Sequence, residues 1–298
     1  MIENVEADGK TPPTSIPLAI GLMCGAGLLF GISSALLKGF SVGLPPMECA
    51  FFRCFVGFVL IVGMSVTGIK KTGIGTRKGI LFLRGLLGGI AALAYLWSVQ
   101  RMDLGLANGL NQTSPIFVCI FAAIFLKERF SWHIYALVLL SFAGIALILK
   151  PDVSGVNPVM IAALVSGVLS GLAYTCIRVL RRTESPETII MWLFGMTCLM
   201  ALATAIYDPW MMPNPAQFGG LLLTGLTAFG GQLLMTRAYR YAAATIVAPF
   251  IYMSTFSSII IAFVIWNELP GVLALCGCAL VVLSSVLIGV FSGKEKKV

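Results

Sequence analysis

Long apolar runs alternate with short polar connections along almost the whole chain. Each crossing of a bilayer needs about 20 apolar residues in a helix, and charge, Gly and Pro divide the chain into ten such runs. They cover residues 16 to 38, 47 to 68, 79 to 100, 104 to 126, 131 to 149, 156 to 178, 187 to 207, 216 to 236, 243 to 266 and 270 to 291. The connections leave no room for a soluble domain, so the pattern predicts an all-α integral membrane protein with ten transmembrane helices.

Composition agrees with this pattern. The chain has 298 residues, of which 58% are hydrophobic and only 11% charged, and its mean hydropathy is +0.97. Such a composition excludes an ordinary soluble domain. The net charge of +8 does not indicate nucleic-acid binding, because the basic residues lie in short connections between apolar runs, where they orient a membrane protein.

The basic residues also predict an orientation. The connections after the second, fourth and sixth runs are rich in Lys and Arg, as is the C-terminal end, whereas the opposite side has fewer basic residues. The richer set is Lys70, Lys71, Arg77, Lys78, Lys127, Arg129, Arg181, Arg182, Lys294, Lys296 and Lys297. The positive-inside rule therefore places both termini in the cytoplasm. Residues 1 to 15 lack the basic start of a cleaved signal peptide and are expected to form a cytosolic tail.

The two halves of the chain correspond at a constant offset in residue number, without a gap. The matches are Gly27 with Gly167, Gly31 with Gly171, Lys38 with Arg178, Pro46 with Pro186, Gly85 with Gly225 and Glu128 with Glu268. Because each repeat has five runs, an odd number, the second repeat enters the membrane upside down, as in many secondary transporters. We therefore expect repeats at residues 16 to 150 and 156 to 291, a basic tail at 292 to 298, and a binding site between the repeats near the middle of the membrane.

Several stretches of the chain resemble one transporter family. They are MECAFFRCFVG (47 to 57), FLRGLLGG (82 to 89), LGLANGLNQTSPIFVCIFAAIFLKE (104 to 128), GGQLLMTRAYRYAAATIVAPFIYMS (230 to 254) and WNELP (266 to 270). With the ten predicted spans, they resemble the EamA-like branch of the drug/metabolite transporter superfamily. The resemblance implies a central cavity lined by spans one to four and six to nine, a small metabolite as substrate and a bacterial inner membrane. It does not specify the metabolite.

Polar side chains within the apolar runs are the first candidates for substrate binding, because polar groups in lipid need a cavity or a partner. Asn108, Asn111 and Gln112 share one helical face at positions i, i+3 and i+4. Tyr252 is the repeat counterpart of Gln112, which favours a ligand site over simple helix packing. Tyr95 and Tyr174 are further candidates from apolar runs.

Basic side chains within the runs are the second set of candidates. Arg84 lies about 10 Å past the start of the third run and has no Asp or Glu at its depth, so an anionic substrate or backbone carbonyls must stabilise it. Arg237, with Gln232 deeper in the same run, would extend a positive inner vestibule. Arg53 is a candidate from the opposite side, where it could instead reach the membrane interface.

Charged residues near the ends of the runs have different expected roles. Lys38 and Arg178 are read as gate or rim residues, with anchoring at the interface as the alternative. Glu128 and Glu268 precede the fifth and tenth runs and are expected to cap the following helices. Few carboxylates then remain near the membrane interior, which favours facilitated diffusion or exchange over proton-driven transport, although Glu48 and His133 leave that question open.

Together these features predict a secondary transporter with alternating access for a small anionic or zwitterionic metabolite such as a carboxylate or an amino-acid derivative. A cationic methylated substrate such as S-adenosylmethionine, held by aromatic rings, is the alternative, and a non-transporting scaffold is another. The scarcity of His and the apolar setting of the eight cysteines argue against an enzyme, a metal site and a cofactor. The partners are then the substrate and the bilayer, and the protein is a monomer or homodimer.

Overall fold

A computed structural model describes residues 15–68, 73–125, 131–149, 157–181, 183–207, 209–242 and 247–295. Within these ranges the chain forms α-helices and one 3-10 helix, and no strand. The helices are α1 Ile16–Phe40, α2 Pro46–Val66, α3 Lys78–Val99, α4 Leu104–Asn111, α5 Ser114–Phe125, α6 Trp132–Leu149, α7 Pro158–Leu180, α8 Pro186–Thr204, α9 Pro215–Tyr241, the 3-10 helix Ala248–Tyr252, α10 Met253–Trp266 and α11 Val272–Glu295. Glu128, most of the predicted tails and several of the basic residues in the connections lie outside the described residues.

Most of the predicted spans appear as helices of the required length and polarity. Among the described residues, seven segments are long and apolar enough to cross a membrane, if α4 and α5 are counted together as Leu104–Phe125. Three shorter apolar helices, Trp132–Gly144, Phe250–Trp266 and Val272–Ile288, stand where the fifth, ninth and tenth spans were predicted. The protein is thus an all-helical membrane protein.

Proline and polar caps define where many of these helices begin. Helices α2, α7, α8 and α9 each start on a proline, whose missing N–H costs nothing in the first turn. Asn214 before α9 forms a capping box, since its side chain accepts the Gln217 N–H and the Gln217 side chain accepts the Asn214 N–H, both at 2.9 Å. These signals fix the entry points of the long helices.

Two of the predicted spans are not continuous helices. The fourth span breaks between Asn111 and Ser114, which separates α4 from α5. Pro115 helps to explain this break, because it lacks the N–H that would bond the carbonyl of Asn111 in an unbroken helix. The ninth span changes from the 3-10 helix to α10 between Tyr252 and Met253. Gln112 and Tyr252 are repeat counterparts, so the breaks occur at equivalent positions of the two halves.

Each break packs against a pair of glycines from the other half of the chain. A Cβ built on Gly27 of α1 would lie 3.0 Å from the carbonyl oxygen of Ile251, and one on Gly31 would lie 3.0 Å from that of Ser254. The two corresponding glycines of α7 repeat this arrangement. Cβ atoms on Gly167 and Gly171 would lie 3.0 Å and 3.1 Å from the carbonyl oxygens of Asn111 and Ser114. We call these four glycines the glycine seats, because only glycine allows this approach of backbone to backbone.

The remaining helices pack around the two helix breaks and the glycine seats. Helix α1 packs mainly against α9 and α10, whereas α3 packs mainly against α7 and α8. Helices α6 and α11 pack chiefly against each other at the side of the bundle. Their contact includes a 2.6 Å hydrogen bond between the hydroxyls of Ser141 and Ser284.

The bundle has two ends, and we name each end after a residue that links chain segments there. At the Lys38 face, the end of α1, the start of α2, the α8–α9 connection and the end of α10 meet, as shown by bonds of Lys38 to Glu268 and of Met211 to Glu48. At the Glu184 face, the start of α3 meets the α7–α8 connection through bonds of Thr76 and Arg77 to Glu184. The cavity lies between these two ends.

Candidate functional site

A cavity lies between the two halves. Helices α1, α2, α3, α4, α7, α8 and α9 and the α4–α5 break all contribute to its lining. The centres of water molecules can occupy about 80 Å³ of it, which is room for several waters. The lining residues are Phe30, Ser34, Arg53, Arg84, Gly88, Ala91, Ala92, Tyr95, Asn108, Asn111, Gln112, Ser170, Ala173, Tyr174, Leu193 and Gln232. This lining, drawn from the described residues, includes two arginines and no carboxylate.

The structure brings most of the predicted binding residues together in this cavity. Eight of the ten candidates line it, namely Arg53, Arg84, Tyr95, Asn108, Asn111, Gln112, Tyr174 and Gln232. Tyr252 and Arg237 do not. Tyr252 is buried beside Leu110 and Cys278, because the change to the 3-10 helix places it among apolar neighbours. Arg237 lies at the Glu184 face, where its Nη2 is 3.6 Å from Oε1 of Glu187.

Helix α3 positions Arg84 in the wall of the cavity. Its side chain is 1% exposed, and its Nε has no hydrogen-bond partner among the described residues. A Cβ at Gly88 would overlap Nη1 of Arg84, so the guanidinium lies over Gly88, one turn further into the helix. An arginine at this depth relieves its burial by extending toward the nearer membrane surface, which here is at the start of α3. The guanidinium of Arg84 is instead held at the cavity.

Helix α2 positions the second arginine from the Lys38 face. Arg53 Nε donates to Ser33 Oγ at 3.2 Å, and Ser33 Oγ donates to the carbonyl of Thr224 at 3.0 Å. This chain ties α2 to α1 and α9 and holds the guanidinium by one edge. The two terminal nitrogens of Arg53 have no hydrogen bond within the described part of the chain, and the side chain lines the cavity.

A row of hydrogen bonds connects the polar side chains of one wall. Ser34 Oγ and Tyr95 OH are 2.7 Å apart, Tyr95 OH donates to Asn108 Oδ1 at 2.7 Å, and Asn108 Nδ2 donates to Ser258 Oγ at 2.7 Å. Asn111 Nδ2 donates to Ser166 Oγ at 2.8 Å. The amides of Asn108 and Asn111 thus link α4 to α3, α7 and α10. Asn108 uses both ends of its amide within the protein.

Two amide oxygens at the cavity remain without a donor from the described residues. Gln112 Nε2 donates to Ser254 Oγ at 2.6 Å, which leaves Gln112 Oε1 buried and unpaired. Gln232 Oε1 of α9 is also buried without a partner there. Unpaired buried polar atoms are costly in folded proteins. These two acceptors and Arg84 Nε are therefore polar atoms whose burial is not offset by a hydrogen bond from the described residues.

An ion pair joins the two halves of the chain at the Lys38 face. Lys38 Nζ lies 2.7 Å and 2.6 Å from the two carboxylate oxygens of Glu268 and 5.6 Å from the centre of the Trp266 ring. The backbone of Asn267 is left-handed, with φ of 55°, which ends α10 and turns Glu268 toward Lys38. The expectation that Glu268 caps the following helix was wrong, because its carboxylate is bound by Lys38.

Hydrogen bonds of the Glu184 carboxylate join the α7–α8 connection to the start of α3 at the Glu184 face. Glu184 Oε1 accepts from the Thr76 N–H at 2.9 Å, the Thr76 hydroxyl at 2.6 Å and the Arg77 N–H at 2.9 Å. Burial opposes the charged form, but these bonds and the charge of Arg77 outweigh it and hold the pKa of Glu184 below its ordinary value. Trp192 Nε1 donates to the carbonyl of Ile74 at 3.0 Å. Arg178 lies in the last turn of α7, near this face.

Sequence reasoning missed several residues of the cavity and its ends. Ser170 lines the cavity one turn before Tyr174 on α7, and that spacing could have identified it. Gly88 is one turn after Arg84, so the same argument applies to it. Phe30 and Leu193 are ordinary apolar residues of long helices, and no local signal distinguishes them from core residues.

Comparison with known proteins identifies the family. The EamA-like transporter family matches residues 17–150 and again residues 157–290. The pseudopaline exporter of Pseudomonas aeruginosa is 29% identical over 88% of this chain and 92% of its own length. An S-adenosylmethionine uptake transporter of Rickettsia bellii is 26% identical over 85% of this chain and 86% of its own. Solute carrier family 35 member G1 of Mus musculus is 26% identical over 94% and 80%.

A solved structure supports the same fold. A crystal structure with 16% sequence identity superposes with a TM-score of 0.69 over 94% of this chain and 99% of the other. The family and its named relatives are transporters and not enzymes. With its two matched repeats and its apolar helices, the chain belongs to the EamA-like transporter family.

Proposed function

We propose that the protein is a secondary transporter that moves a small anionic or zwitterionic metabolite by alternating access. The observation that carries the proposal is the guanidinium of Arg84, which is buried, lacks a counter-charge among the described residues and lies over Gly88 at a cavity without carboxylates in its described lining. Keeping a guanidinium inside the membrane costs at least a few kcal/mol. A substrate that carries a negative charge would offset this cost when it binds beside Arg84, which explains why the arginine is there.

The proposed architecture has ten transmembrane helices in two inverted repeats, residues 16 to 150 and 156 to 291. Support comes from the glycine seats, because Gly27 and Gly167 contact carbonyls of Ile251 and Asn111, which are themselves repeat counterparts. Reciprocal contacts of this kind are expected when two copies of one unit face each other across a pseudo-two-fold axis. The cavity lies at that interface, where inverted-repeat transporters bind their substrates.

The orientation follows from the basic residues. Arg77, Lys78 and Arg181 lie at the Glu184 face, and the positive-inside rule makes that face cytoplasmic. Both termini are then cytoplasmic, and the bacterial relatives favour the inner membrane. In the proposed cycle the contacts of Lys38 and those of Glu184 open in turn, so that the cavity reaches one side of the membrane at a time.

Facilitated diffusion or exchange is the proposed energetic mode. Proton-driven transport normally needs a titratable group in the pathway, and the lining formed by the described residues contains no Asp, Glu or His. Glu48 is 1% exposed, accepts the Met211 N–H at 2.9 Å and is not among the lining residues. His133 stacks on Phe291 at the side of the bundle. Neither residue is placed to exchange protons with a substrate in the cavity.

Flux in proteoliposomes tests the proposal with a matched set of variants. Uptake of a pooled set of labelled carboxylates and amino acids is compared for the wild type, Arg84→Gln and Gly88→Ala. Loss of one charged hydrogen-bonding partner should lower flux of the substrate by about 10-fold or more. Gly88→Ala should lower it as well, because the new methyl group displaces the guanidinium.

The controls separate this effect from general damage. Gly79→Ala lies in the same helix with nothing near the new Cβ, and Arg101→Gln removes an exposed arginine that packs on Trp97. Both should transport normally. If Arg84→Gln transports as well as wild type, the anion proposal is wrong. Absence of flux for every solute, from correctly folded protein, would instead favour a non-transporting scaffold.

A cationic methylated substrate is the second candidate. The relative named as an S-adenosylmethionine uptake transporter favours it, as do the rings of Tyr95 and Tyr174 in the lining, since aromatic faces attract cations. The two arginines of the same lining oppose it. A thermal-shift comparison of carboxylates with sulfonium and quaternary ammonium compounds distinguishes the two substrate classes.

A further inference from the structure

We infer that Ser33 is a positioning residue for substrate binding, which acts by holding the guanidinium of Arg53 at the cavity. The inference rests on the proposed function and adds a residue that is not itself part of the cavity lining. It depends on the hydrogen bonds of Arg53, on the depth of that residue in the bundle, and on a comparison with the equivalent position in the other repeat.

One edge of the Arg53 guanidinium is bound inside the protein. Ser33 Oγ accepts from Arg53 Nε at 3.2 Å and donates to the carbonyl of Thr224 at 3.0 Å. Because the single hydroxyl hydrogen of Ser33 goes to that carbonyl, its oxygen acts toward the arginine only as an acceptor. The terminal nitrogens of Arg53, which form no hydrogen bond within the described part of the chain, are left for a carboxylate in the cavity.

The bond to Ser33 also keeps Arg53 from an alternative position. Arg53 lies about two turns after the start of α2 at Pro46, which corresponds to about 10 Å from that end of the helix. An arginine at this depth can extend to the nearer membrane surface, where water solvates its charge. Ser33 is 0% exposed and Arg53 is 9% exposed, so the bond holds the guanidinium within the bundle.

The helix contact beside Arg53 has an equivalent in the other repeat. Helix α2 packs on α9 so closely that a Cβ built on Gly225 would lie 2.6 Å from Cβ of Val56. Helix α8 packs on α3 in the same way, since a Cβ built on Gly85 would lie 2.7 Å from Cγ of Met196. Gly85 and Gly225 are repeat counterparts, and so are Val56 and Met196. The two contacts therefore share their helix packing.

The bridge between arginine and serine occurs at only one of these two contacts. The repeat counterparts of Arg53 and Ser33 are Leu193 and Ala173, whose side chains form no hydrogen bonds. Leu193 and Ala173 are 4% and 0% exposed and both line the cavity. The α8–α3 contact thus keeps its packing without such a bridge. Since the fold forms without the bridge there, the bridge at Ser33 serves the presentation of Arg53 rather than the helix packing.

Concentration-dependent flux of the full-length protein in proteoliposomes tests this role. The probe is the acid with the highest wild-type flux among labelled lactate, succinate, citrate, aspartate and glutamate. Ser33→Ala should raise its KM about 10-fold, because loss of the fixed orientation weakens a charged hydrogen bond to the substrate. The kcat should change by less than about 2-fold, since the lost interaction contributes to binding rather than to the conformational step.

A double variant distinguishes positioning from general damage. Arg53→Gln should itself raise KM about 10-fold or more. In that background the group that Ser33 positions is gone, so the addition of Ser33→Ala should change KM by less than about 2-fold. Ser33→Cys keeps the size of the side chain and weakens both of its hydrogen bonds. It should raise KM in the same direction, and it replaces the alanine variant if that variant does not fold.

Ser141→Ala is the matched control. It removes another buried serine that bridges two helices, through a 2.6 Å hydrogen bond to Ser284, and neither of these serines lines the cavity. Its KM should match that of the wild type. Thermal unfolding and the elution profile of each variant check its fold.

The outcomes separate this inference from the proposed function. An unchanged KM in Ser33→Ala overturns the inference, as does an equal effect of Ser33→Ala with and without Arg53→Gln. If either result is found and Arg84→Gln abolishes flux, the anion transporter stands and the positioning role is wrong. If the wild type transports no acid of the set, both are wrong.

Discussion

Gly27 and Gly31 in the first half of the chain and Gly167 and Gly171 in the second half pack against carbonyl oxygens at equivalent positions, and a Cβ built on any of them would lie 3.0 Å to 3.1 Å from its carbonyl oxygen. The polar lining of the cavity is distributed differently. Arg53 and Arg84 belong to the first half, and their repeat counterparts are Leu193 and Thr224. The halves therefore share their backbone contacts and differ in the side chains that face a ligand.

This difference separates what the fold needs from what the substrate needs. The glycine seats contact the backbone at the helix breaks. The same contact occurs in each half of the chain, so both breaks are held in the same way. A small metabolite has no two-fold symmetry, so its recognition requires residues that only one half supplies. The ends of the bundle are also unlike, since an ion pair of side chains joins helices at the Lys38 face, whereas a carboxylate bound by backbone N–H groups joins segments at the Glu184 face.

The largest expected effects come from filling the glycine seats. Gly27→Ala and Gly167→Ala should each lower the free energy of unfolding by about 1–3 kcal/mol, because the added methyl group meets backbone that cannot turn away. Unfolding in mixed micelles measures both. Gly21→Ala in the same helix as Gly27 meets nothing within 4 Å and serves as the control. A large loss in one variant and none in the other would refute the equivalence of the halves.

Removing a carboxylate from the Glu184 face should have the next largest effect. Glu184→Ala leaves two backbone N–H groups and one hydroxyl without their acceptor and should cost about 1–3 kcal/mol. Glu184→Gln keeps an acceptor and should cost less. Proteolysis of the segment around Thr76, followed by mass spectrometry, should show that this connection becomes accessible in Glu184→Ala and stays protected in Lys38→Met.

Breaking the ion pair at the Lys38 face should cost less. Lys38→Met leaves Glu268 without its partner and should lower the free energy of unfolding by about 1 kcal/mol, near the upper range for partly exposed pairs. The reversed pair Lys38→Glu with Glu268→Lys should recover part of the loss. If the reversed pair is less stable than either single variant, the attraction between these charges is not what closes this face.

The smallest effect is a dependence on acidity at the Glu184 face. Because the folded protein holds the pKa of Glu184 below its ordinary value near 4.5, this group contributes stability above that value and loses the contribution as pH falls through the lower folded pKa. The difference in stability between wild type and Glu184→Gln should therefore be constant at neutral pH and shrink in acid. A difference that grows in acid would contradict the assignment.

The apolar pattern predicted the positions of the helices because burial in lipid requires long apolar stretches, and that signal is strong in a single sequence. It also predicted most of the polar residues that line the cavity, since Arg84, Asn108 and Gln112 are costly in lipid wherever they point. The depth of each residue in the membrane and the helical face that it occupies could be inferred from its position in the sequence. Its contacts with other helices could not.

What the sequence did not reveal depends on backbone geometry and distant partners. The left-handed turn at Asn267 sends Glu268 to Lys38, which lies far away in the first half of the chain, and no local rule predicts that pairing. Tyr252 was expected at the cavity because it matches Gln112, but the halves differ in helix type at this point, and the 3-10 helix turns its ring among apolar side chains. The contact of Arg84 with Gly88 depends on the rotamer of the long Arg84 side chain, which the sequence does not specify.

The glycine seats also constrain the order in which the protein is made. The break after α4 cannot adopt its final position until α7 has left the ribosome, because its glycines lie in that helix. Gly27 and Gly31 enter the membrane early, whereas the residues that they contact, Ile251 and Ser254, are synthesised much later. Completion of the cavity is thus a late event of biogenesis, and until α7 is made the break after α4 lacks the glycine contacts that hold it.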